Sequence, residues 1–357
     1  MSTLALISTR KGLFQLNHDL TLSPPEFAGV PVSMALASAQ HPTWYAALDH
    51  GHFGVKLQRS DNAGKSWQEV TAPSYPKHDD AAQGDNLELI WSMEFARPDN
   101  DQILWAGSIP GGLFYSDNGG ESWQLNQPLW KYKTQQKWFG GGFEDAGIHS
   151  ICIEPGNPEL IRVGVSCAGV WQTEDGGQSW QNRAQGMRAA FMPPEKQFDP
   201  NIQDPHRMVQ CPGDPKSLWV QHHNGIFKST DHSASWQEIE NDAPSAFGFA
   251  VAVHPTDPLC AWFVPGIKDE CRMPVDGKLV VTRTRDAGET FETLNQGLPQ
   301  GFSGDLVYRH GLDVSSDGEQ LLMGSTTGNL WISQNQGDSW HCLSNYLPPI
   351  YAVRFLK

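Results

Sequence analysis

The eight residues SDNGGESW (116–123) return, with small variations, five more times along the chain. The six copies, aligned without gaps, are SDNAGKSW (60–67), SDNGGESW (116–123), TEDGGQSW (173–180), STDHSASW (229–236), TRDAGETF (284–291) and SQNQGDSW (333–340). The aromatic residues that end them are 56, 57, 56, 55 and 49 positions apart. A period this regular over most of a chain predicts a fold built from repeated units.

Each copy, here called a box, has the residues of a tight turn. A Ser or Thr opens the box, and the Asp or Asn two positions later can accept hydrogen bonds from backbone N–H groups of the turn. The Gly two positions further can take a positive φ. Ser233 stands at that position in the fourth box. The final aromatic ring is large enough to pack between neighbouring sheets.

These boxes resemble the Asp-box, or BNR, repeat of sialidase-like and sortilin-like β-propellers, and the resemblance covers nearly the whole chain. It implies the fold and says little about function, because the box is a folding device. Sialidases of this kind use an arginine triad, a Tyr–Glu nucleophile pair, an acid/base Asp and an (F/Y)RIP motif. The nearest match here is Ser108-Ile109-Pro110, which lacks the arginine, so we do not expect a true sialidase.

The number of blades follows from short segments that resemble one another, six of which each precede a box. Seven such segments have the pattern of equivalent strand starts: GLF (12–14), FGV (53–55), GLF (112–114), GVW (169–171), GIF (225–227), KLVV (278–281) and NLW (329–331). The first has no box, and PPIYAVRFLK (348–357) has the pattern of an innermost strand. The two ends are therefore expected to share one blade and close the ring. The prediction is all-β: residues 1–357 as a single seven-bladed propeller of four-stranded blades.

Composition and charge exclude several classes of partner. The 357 residues carry a net charge of −15, which repels phosphate backbones and anionic lipid, so neither nucleic acid nor membrane is an expected partner. No apolar run reaches the roughly 18 residues of a spanning helix. The N-terminus lacks the features of a signal peptide. Six cysteines without CxxC spacing favour reduced thiols in a cytoplasmic protein.

Loops between second and third strands share one face of a propeller with the loops between blades. We call it the top face, and the boxes, between third and fourth strands, lie at the opposite end. The turn HHNG (222–225) is therefore on the top face, which makes His222, His223 and Asn224 candidate ligand-binding residues. Loops on a rigid scaffold often carry function.

The fifth blade carries a long top-face insertion, VPGIKDECRMPVDGK (264–278). It is either a solvated charged hairpin or a lid over the channel. As a lid it would supply Asp269 and Glu270 as acid or base, and Lys268 and Arg272 as ligand contacts.

Innermost strands align on the proline that ends them. The alignment places Ser92, His149, His206 and Phe249 at the same height along the central channel. His310 is placed at that height by its distance from the box that follows it. Three histidines are thus predicted to surround the channel mouth. Acidic residues precede each of them, namely Glu144 and Asp145, then Asp204, then Asp305.

Several roles for these histidines stay open. They can simply bond neighbouring blades and channel water. Alternatively, His149, His206 and His310 can hold a divalent metal ion with the carboxylates around it. Proton transfer or anion binding by imidazole is the third possibility.

Cys167 and two tryptophans each have both a structural and a functional interpretation. Cys167 is either a nucleophile near a histidine or a small buried filler. Trp91 and Trp138 either form a floor on which a sugar stacks or belong to the core.

The sequence favours a top-face site for a polar small molecule, most simply a carbohydrate. Its best-supported chemistry is glycoside hydrolase-like hydrolysis, for which two carboxylates about 5–10 Å apart suffice. The candidates are Glu144, Asp145, Asp204, Asp269 and Glu270, with the three histidines beside them. A non-catalytic binding or assembly propeller is the alternative, and a metal-dependent enzyme the third.

Overall fold

The computed structural model describes residues 2–77, 85–140, 143–240 and 244–356. These residues form seven antiparallel sheets, of which six have four strands and one has three. Each innermost strand contacts the innermost strands of the sheets before and after it, and the last contacts the first. The sheets are therefore the blades of a closed seven-bladed propeller, as predicted.

The blade that joins the two ends of the chain contains β1 (Thr3–Thr9), β2 (Gly12–Asn17) and β27 (Ile350–Phe355). Blade 1 contains β3 (Val32–Ala37), β4 (Trp44–Asp49), β5 (Val55–Ser60) and β6 (Gln68–Val70). Blade 2 contains β7 (Leu89–Arg97), β8 (Asn100–Ile109), β9 (Leu113–Ser116) and β10 (Gln124–Leu125). Blade 3 contains β11 (Ile148–Glu154), β12 (Asn157–Val165), β13 (Gly169–Thr173) and β14 (Gln181–Asn182).

Blade 4 contains β15 (Pro205–Gln210), β16 (Leu218–His222), β17 (Gly225–Ser229) and β18 (Gln237–Ile239). Blade 5 contains β19 (Gly248–Val253), β20 (Ala261–Pro265), β21 (Val281–Thr284) and β22 (Glu292–Leu294). Blade 6 contains β23 (Leu312–Val314), β24 (Leu321–Gly324), β25 (Leu330–Ser333) and β26 (His341–Ser344). Every box joins the third strand of a blade to its fourth.

The blade shared by the two chain ends closes the ring. Its innermost strand is β27, which pairs with β1, and β1 pairs with β2. The fourth position is irregular, because residues 22–26 meet β2 only through the isolated bridges Leu13–Glu26 and Leu16–Leu22. The predicted closure is confirmed, with a reduced outer edge on this one blade.

The boxes form one hydrogen-bonded turn in six versions. In the second box, Ser116 Oγ accepts from the Gly120 N–H at 2.9 Å, and Asn118 Oδ1 accepts from the Ser122 N–H at 3.0 Å. The equivalent bonds of the other five boxes measure 2.8–3.0 Å. The predicted turn chemistry is confirmed.

The aromatic residue that ends a box fastens one blade to the next. Trp180, Trp236 and Trp340 are at most 5% exposed. Trp180 packs with Trp105 of blade 2 and Trp171 of blade 3. The Trp236 Nε1–H also donates to the Arg183 carbonyl at 2.7 Å. These side chains carry the packing between neighbouring sheets.

One α-helix, α1 (Gln127–Gln136), interrupts the β-structure of the described residues. Asn126 caps it, accepting from the Leu129 N–H at 3.0 Å, and the same Asn126 oxygen accepts from Trp180 Nε1. Short 3-10 turns occupy Gly51–Phe53 and Val275–Gly277. Within the described ranges no helix has the length and apolar character needed to cross a bilayer.

Ser233 offers a test of the box geometry. It has a φ of 64°, is fully buried, and donates from Oγ to Gln172 Oε1 at 3.0 Å. Ser233→Ala keeps the left-handed strain and loses the hydrogen bond, so we expect a loss of about 1 kcal/mol of unfolding free energy. Ser233→Gly also loses the bond but relieves strain worth about 1–2 kcal/mol. Urea unfolding should rank glycine above alanine, and the reverse order would contradict the assigned turn.

Acid titration tests the boxes that carry aspartate. Hydrogen bonds from Ser179 and Thr173 lower the pKa of Asp175 to about 2, and the pKa values of Asp231 and Asp286 are also lowered. A carboxylate with a depressed folded-state pKa stabilises above its unfolded pKa of about 3.9 and loses that effect as pH falls.

We therefore expect the D175N/D231N/D286N variant to lose less thermal stability than the native protein between about pH 4 and pH 2. Asparagine already fills this position in the other three boxes, as Asn62, Asn118 and Asn335, so the substitution suits the turn. Identical melting profiles for the two proteins over this pH range would refute the assignment.

Candidate functional site

A cavity of about 540 Å³ opens at the top of the central channel. Residues from the beginnings of innermost strands line it, among them Ser33, Trp91, Phe249 and Tyr351. Innermost and third strands run in the same direction, and each box follows the end of a third strand. The cavity therefore lies on the top face, at the end of the propeller opposite the boxes.

Arg309 contributes an unpartnered cation to this cavity. No described residue accepts a hydrogen bond from its guanidinium, and its Nε is buried without a partner. The guanidinium carbon lies 4.6 Å from the centre of the Trp91 ring and 5.3 Å from that of Phe249. Burial lowers the pKa of Arg309 to about 10, opposed by the charge of Asp204. The side chain stays charged at neutral pH.

The insertion of blade 5 sends one residue into the cavity. Arg272 lines it, pairs with Asp269 at 2.6 Å and lies 5.3 Å from the centre of the Phe249 ring. Lys268 and Glu270 are instead 63% and 77% exposed, 3.6 Å from each other. Of the four predicted lid residues, Arg272 faces the cavity and Asp269 holds it in place.

Two of the predicted histidines meet across the channel. His310 Nε2 donates to the His149 carbonyl at 2.8 Å, which links blade 6 to blade 3. The His149 ring is fully buried, with Nδ1 2.9 Å from Ser150 Oγ and a T-shaped contact with Trp91 at a centroid distance of 5.6 Å. Burial holds the pKa of each histidine well below its usual range. Only His310 of this pair lines the cavity.

The third histidine, His206, belongs to a separate cluster in blade 4. Its Nδ1–H donates to the Gly248 carbonyl at 2.6 Å, and its Nε2 lies 3.5 Å from Asp204 Oδ2. His223 Nδ1 lies 3.3 Å from the same oxygen. Burial raises the pKa of Asp204, but the nearby imidazoles outweigh it, and that pKa falls well below its usual range.

The predicted metal set His149, His206 and His310 therefore does not converge. Among the described residues, the three side chains whose donor atoms lie within 4.8 Å of one another are Asp204, His206 and His223. The physical reason is that backbone carbonyls orient His310 and His206 separately. His206 is the one member common to both sets.

The other residues of the HHNG turn have structural partners. His222 is fully buried, its Nε2 accepts from the Asp204 N–H at 2.9 Å, and burial lowers its pKa to about 3. Asn224 Oδ1 accepts from the Ala190 N–H at 2.8 Å and so anchors the loop between blades 3 and 4. Only His223 of this turn is both partly exposed and directed at an ionisable group.

Cys167 and Trp138 are parts of the framework. Cys167 is 4% exposed, its N–H donates to Asp204 Oδ1 at 3.1 Å, and burial raises the pKa of its thiol. A thiol held protonated is a poor nucleophile. Trp138 is 7% exposed and packs on Trp171, so it lies in the core and not on a ligand floor. Trp91, by contrast, does line the cavity.

The predicted carboxylates Glu144 and Asp145 lie away from the cavity lining. Glu144 is exposed, and Asp145 lies 3.9 Å from Lys133 Nζ of α1. The carboxylates Asp49 and Glu88 do line the cavity, and neither was among the site residues predicted from the sequence. Arg309 was not among them either, although this residue directly precedes His310.

Comparison with known proteins identifies the repeat. The BNR/Asp-box repeat family matches residues 114–125. A curated relative, the oligoxyloglucan-reducing end-specific xyloglucanase of Emericella nidulans, is 22% identical over 267 residues. The alignment covers 66% of this chain and 30% of the relative, so the chain spans less than a third of that protein.

Solved structures share the fold at low identity. An ancestral GH74 enzyme has a TM-score of 0.62 at 17% identity, covering 96% of this chain and 40% of that one. The Niastella koreensis GH74 enzyme has a TM-score of 0.60 at 16% identity, covering 95% and 54%. YCF48 bound to D1 peptide has a TM-score of 0.57 at 13% identity, covering 96% and 84%. These likenesses support the propeller fold.

Proposed function

We propose that the top-face cavity of this BNR/Asp-box repeat β-propeller binds a small acidic carbohydrate through Arg309. The observation that carries the proposal is the guanidinium of Arg309, charged and without an acceptor, between the rings of Trp91 and Phe249. A ligand carboxylate would complete this site.

Arg309 is half-buried, with Nε buried and without an acceptor, and a partly desolvated cation that lacks a hydrogen-bond partner destabilises a fold. The planar guanidinium suits a carboxylate, which can accept two parallel hydrogen bonds from it. Arg272 also lines the cavity, but its charge is paired with Asp269 at 2.6 Å. The preference for an anionic ligand therefore rests on Arg309, whose guanidinium has no hydrogen-bond acceptor among the described residues.

The remaining lining suits a sugar. Trp91 and Tyr308 provide aromatic surface, while Asp49, Glu88 and Ser33 provide oxygen atoms for hydroxyl groups. A volume of about 540 Å³ is typical of sites for small ligands. The curated relative is named a xyloglucanase, which supports a carbohydrate as ligand class.

Calorimetric titration with glucuronate and glucose tests the charge requirement. We expect glucuronate to bind at least about tenfold more tightly than glucose, since only glucuronate offers Arg309 a carboxylate. Arg309→Leu should abolish the preference and, by removing a desolvated charge, leave thermal stability equal or higher. Arg285→Leu, at an exposed arginine of a box, is the control. Equal affinities for both sugars in the native protein would overturn the acidic-ligand proposal.

Hydrolysis of a glycosidic bond is the second candidate. It is favoured by the two carboxyl groups, Asp49 and Glu88, that line the same cavity as Arg309. Glycosidases of most families use two carboxyl groups, one as acid and one as nucleophile or base. One Asp49 oxygen already accepts from the Gly51 N–H at 3.0 Å, which fixes its orientation.

A chromogenic 4-nitrophenyl glucuronide tests hydrolysis separately from binding. We expect Asp49→Asn and Glu88→Gln each to lower kcat by at least about a hundredfold, because each removes an acid or base. Glu270→Gln, at the exposed tip of the insertion, is the matched control and should retain full activity. No turnover by the native protein would exclude this hydrolysis while leaving the binding proposal to the calorimetric test.

A further inference from the structure

We infer that Asp204, His206 and His223 form a binding site for one divalent transition-metal ion on the top face, beside the cavity. The inference does not rest on the proposed carbohydrate ligand. It rests on the positions of three donor atoms: Asp204 Oδ2, His206 Nε2 and His223 Nδ1.

Two distances between these atoms fit metal coordination better than direct hydrogen bonding, and all three atoms lie within 4.8 Å of one another. Asp204 Oδ2 lies 3.5 Å from His206 Nε2 and 3.3 Å from His223 Nδ1. Charge-assisted hydrogen bonds between such groups measure about 2.7–2.9 Å. Ligand atoms placed about 2.0–2.1 Å from a tetrahedral zinc ion are about 3.3 Å apart. His223 Nδ1 is buried without a hydrogen-bond partner.

The bond to Gly248 fixes which nitrogen of His206 can bind a metal. A carbonyl oxygen can only accept, so the 2.6 Å contact places the proton on Nδ1. In its neutral form the ring presents the lone pair of Nε2 to Asp204 Oδ2, 3.5 Å away, so that two acceptors face each other. A cation between them removes that repulsion. Metal-binding histidines characteristically donate their other N–H to such a carbonyl.

Asp204 is oriented in the same way. One of its oxygens, Oδ1, accepts from the Cys167 N–H at 3.1 Å, which directs Oδ2 toward the imidazoles. The residue precedes β15, and His206 lies two positions later, so both side chains project from the same side of an extended segment. Because β15 pairs with β16, His223 in the following turn is brought alongside them.

Aromatic rings enclose the cluster on several sides. His206 stacks on Phe249 at a centroid distance of 4.4 Å, and the His223 ring meets Phe191 at 4.9 Å and Phe247 at 5.9 Å. Asp204 and His206 are at most 2% exposed, while the His223 side chain is 24% exposed. An ion would enter past His223, where a fourth position stays open to water or to a ligand.

Two imidazoles and one carboxylate favour first-row transition metals over magnesium or calcium, which prefer oxygen ligands. Zinc, iron(II) and cobalt(II) all accept this donor set. The competing arrangement is an ion pair between Asp204 and a protonated His223, with no metal.

Cobalt(II) titration of chelator-treated full-length protein distinguishes the two arrangements, because tetrahedral cobalt absorbs visible light. We expect about one ion per chain, with visible bands and a rise in melting temperature. Asp204→Asn and His223→Asn should each weaken binding by more than about tenfold. His341→Asn, at an exposed histidine of β26, is the control and should bind as the native protein does.

His223→Asn is the decisive variant, because its partly exposed side chain can change without opening the core. Far-UV circular dichroism without metal should match the native protein. If the native protein shows no saturable cobalt binding, or if His223→Asn and Asp204→Asn bind as tightly as it does, the metal site is overturned and the ion pair stands.

Discussion

Antiparallel pairing of β27 with β1 holds seven innermost strands around one axis, and the chemistry of the top face depends on that closure. Closure brings together blades that are far apart in sequence. His310 of blade 6 reaches the His149 carbonyl of blade 3, 161 positions away, and Arg354 of β27 pairs with Glu94 of β7. For the same reason the cavity gathers residues from blades 1, 2, 3, 5 and 6 and from the blade shared by the chain ends.

The boxes at one end of the propeller stabilise the fold, whereas the candidate site lies at the other end. At the box end, aspartates such as Asp175 and Asp286 accept hydrogen bonds from residues of their own turn. These hydrogen bonds lower the pKa values of the two carboxyl groups. At the top, Arg309 is charged and lacks an acceptor. What distinguishes Arg309 from other buried groups without partners, such as Trp340 Nε1 of a box, is its charge and its place in the cavity lining.

Local turn chemistry made the fold predictable, since every box repeats the same short-range hydrogen bonds and Ser233 follows them with a positive φ. The site was less predictable. Phase within the repeat placed His149 and His206 on innermost strands and His310 just before one, but carbonyls of other blades orient the rings of His206 and His310. The repeat also gave no sign of helix α1, whose capping residue Asn126 accepts a hydrogen bond from Trp180 of the next blade.

Arg309 escaped prediction because its environment comes from Trp91 and Phe249, which lie on blades 2 and 5. The most direct measurement is a crystal structure of the protein with glucuronate. The account predicts the ligand carboxylate within hydrogen-bonding distance of the Arg309 guanidinium and the sugar ring against Trp91. A guanidinium bound to a protein carboxylate, or a ligand outside this cavity, would contradict it.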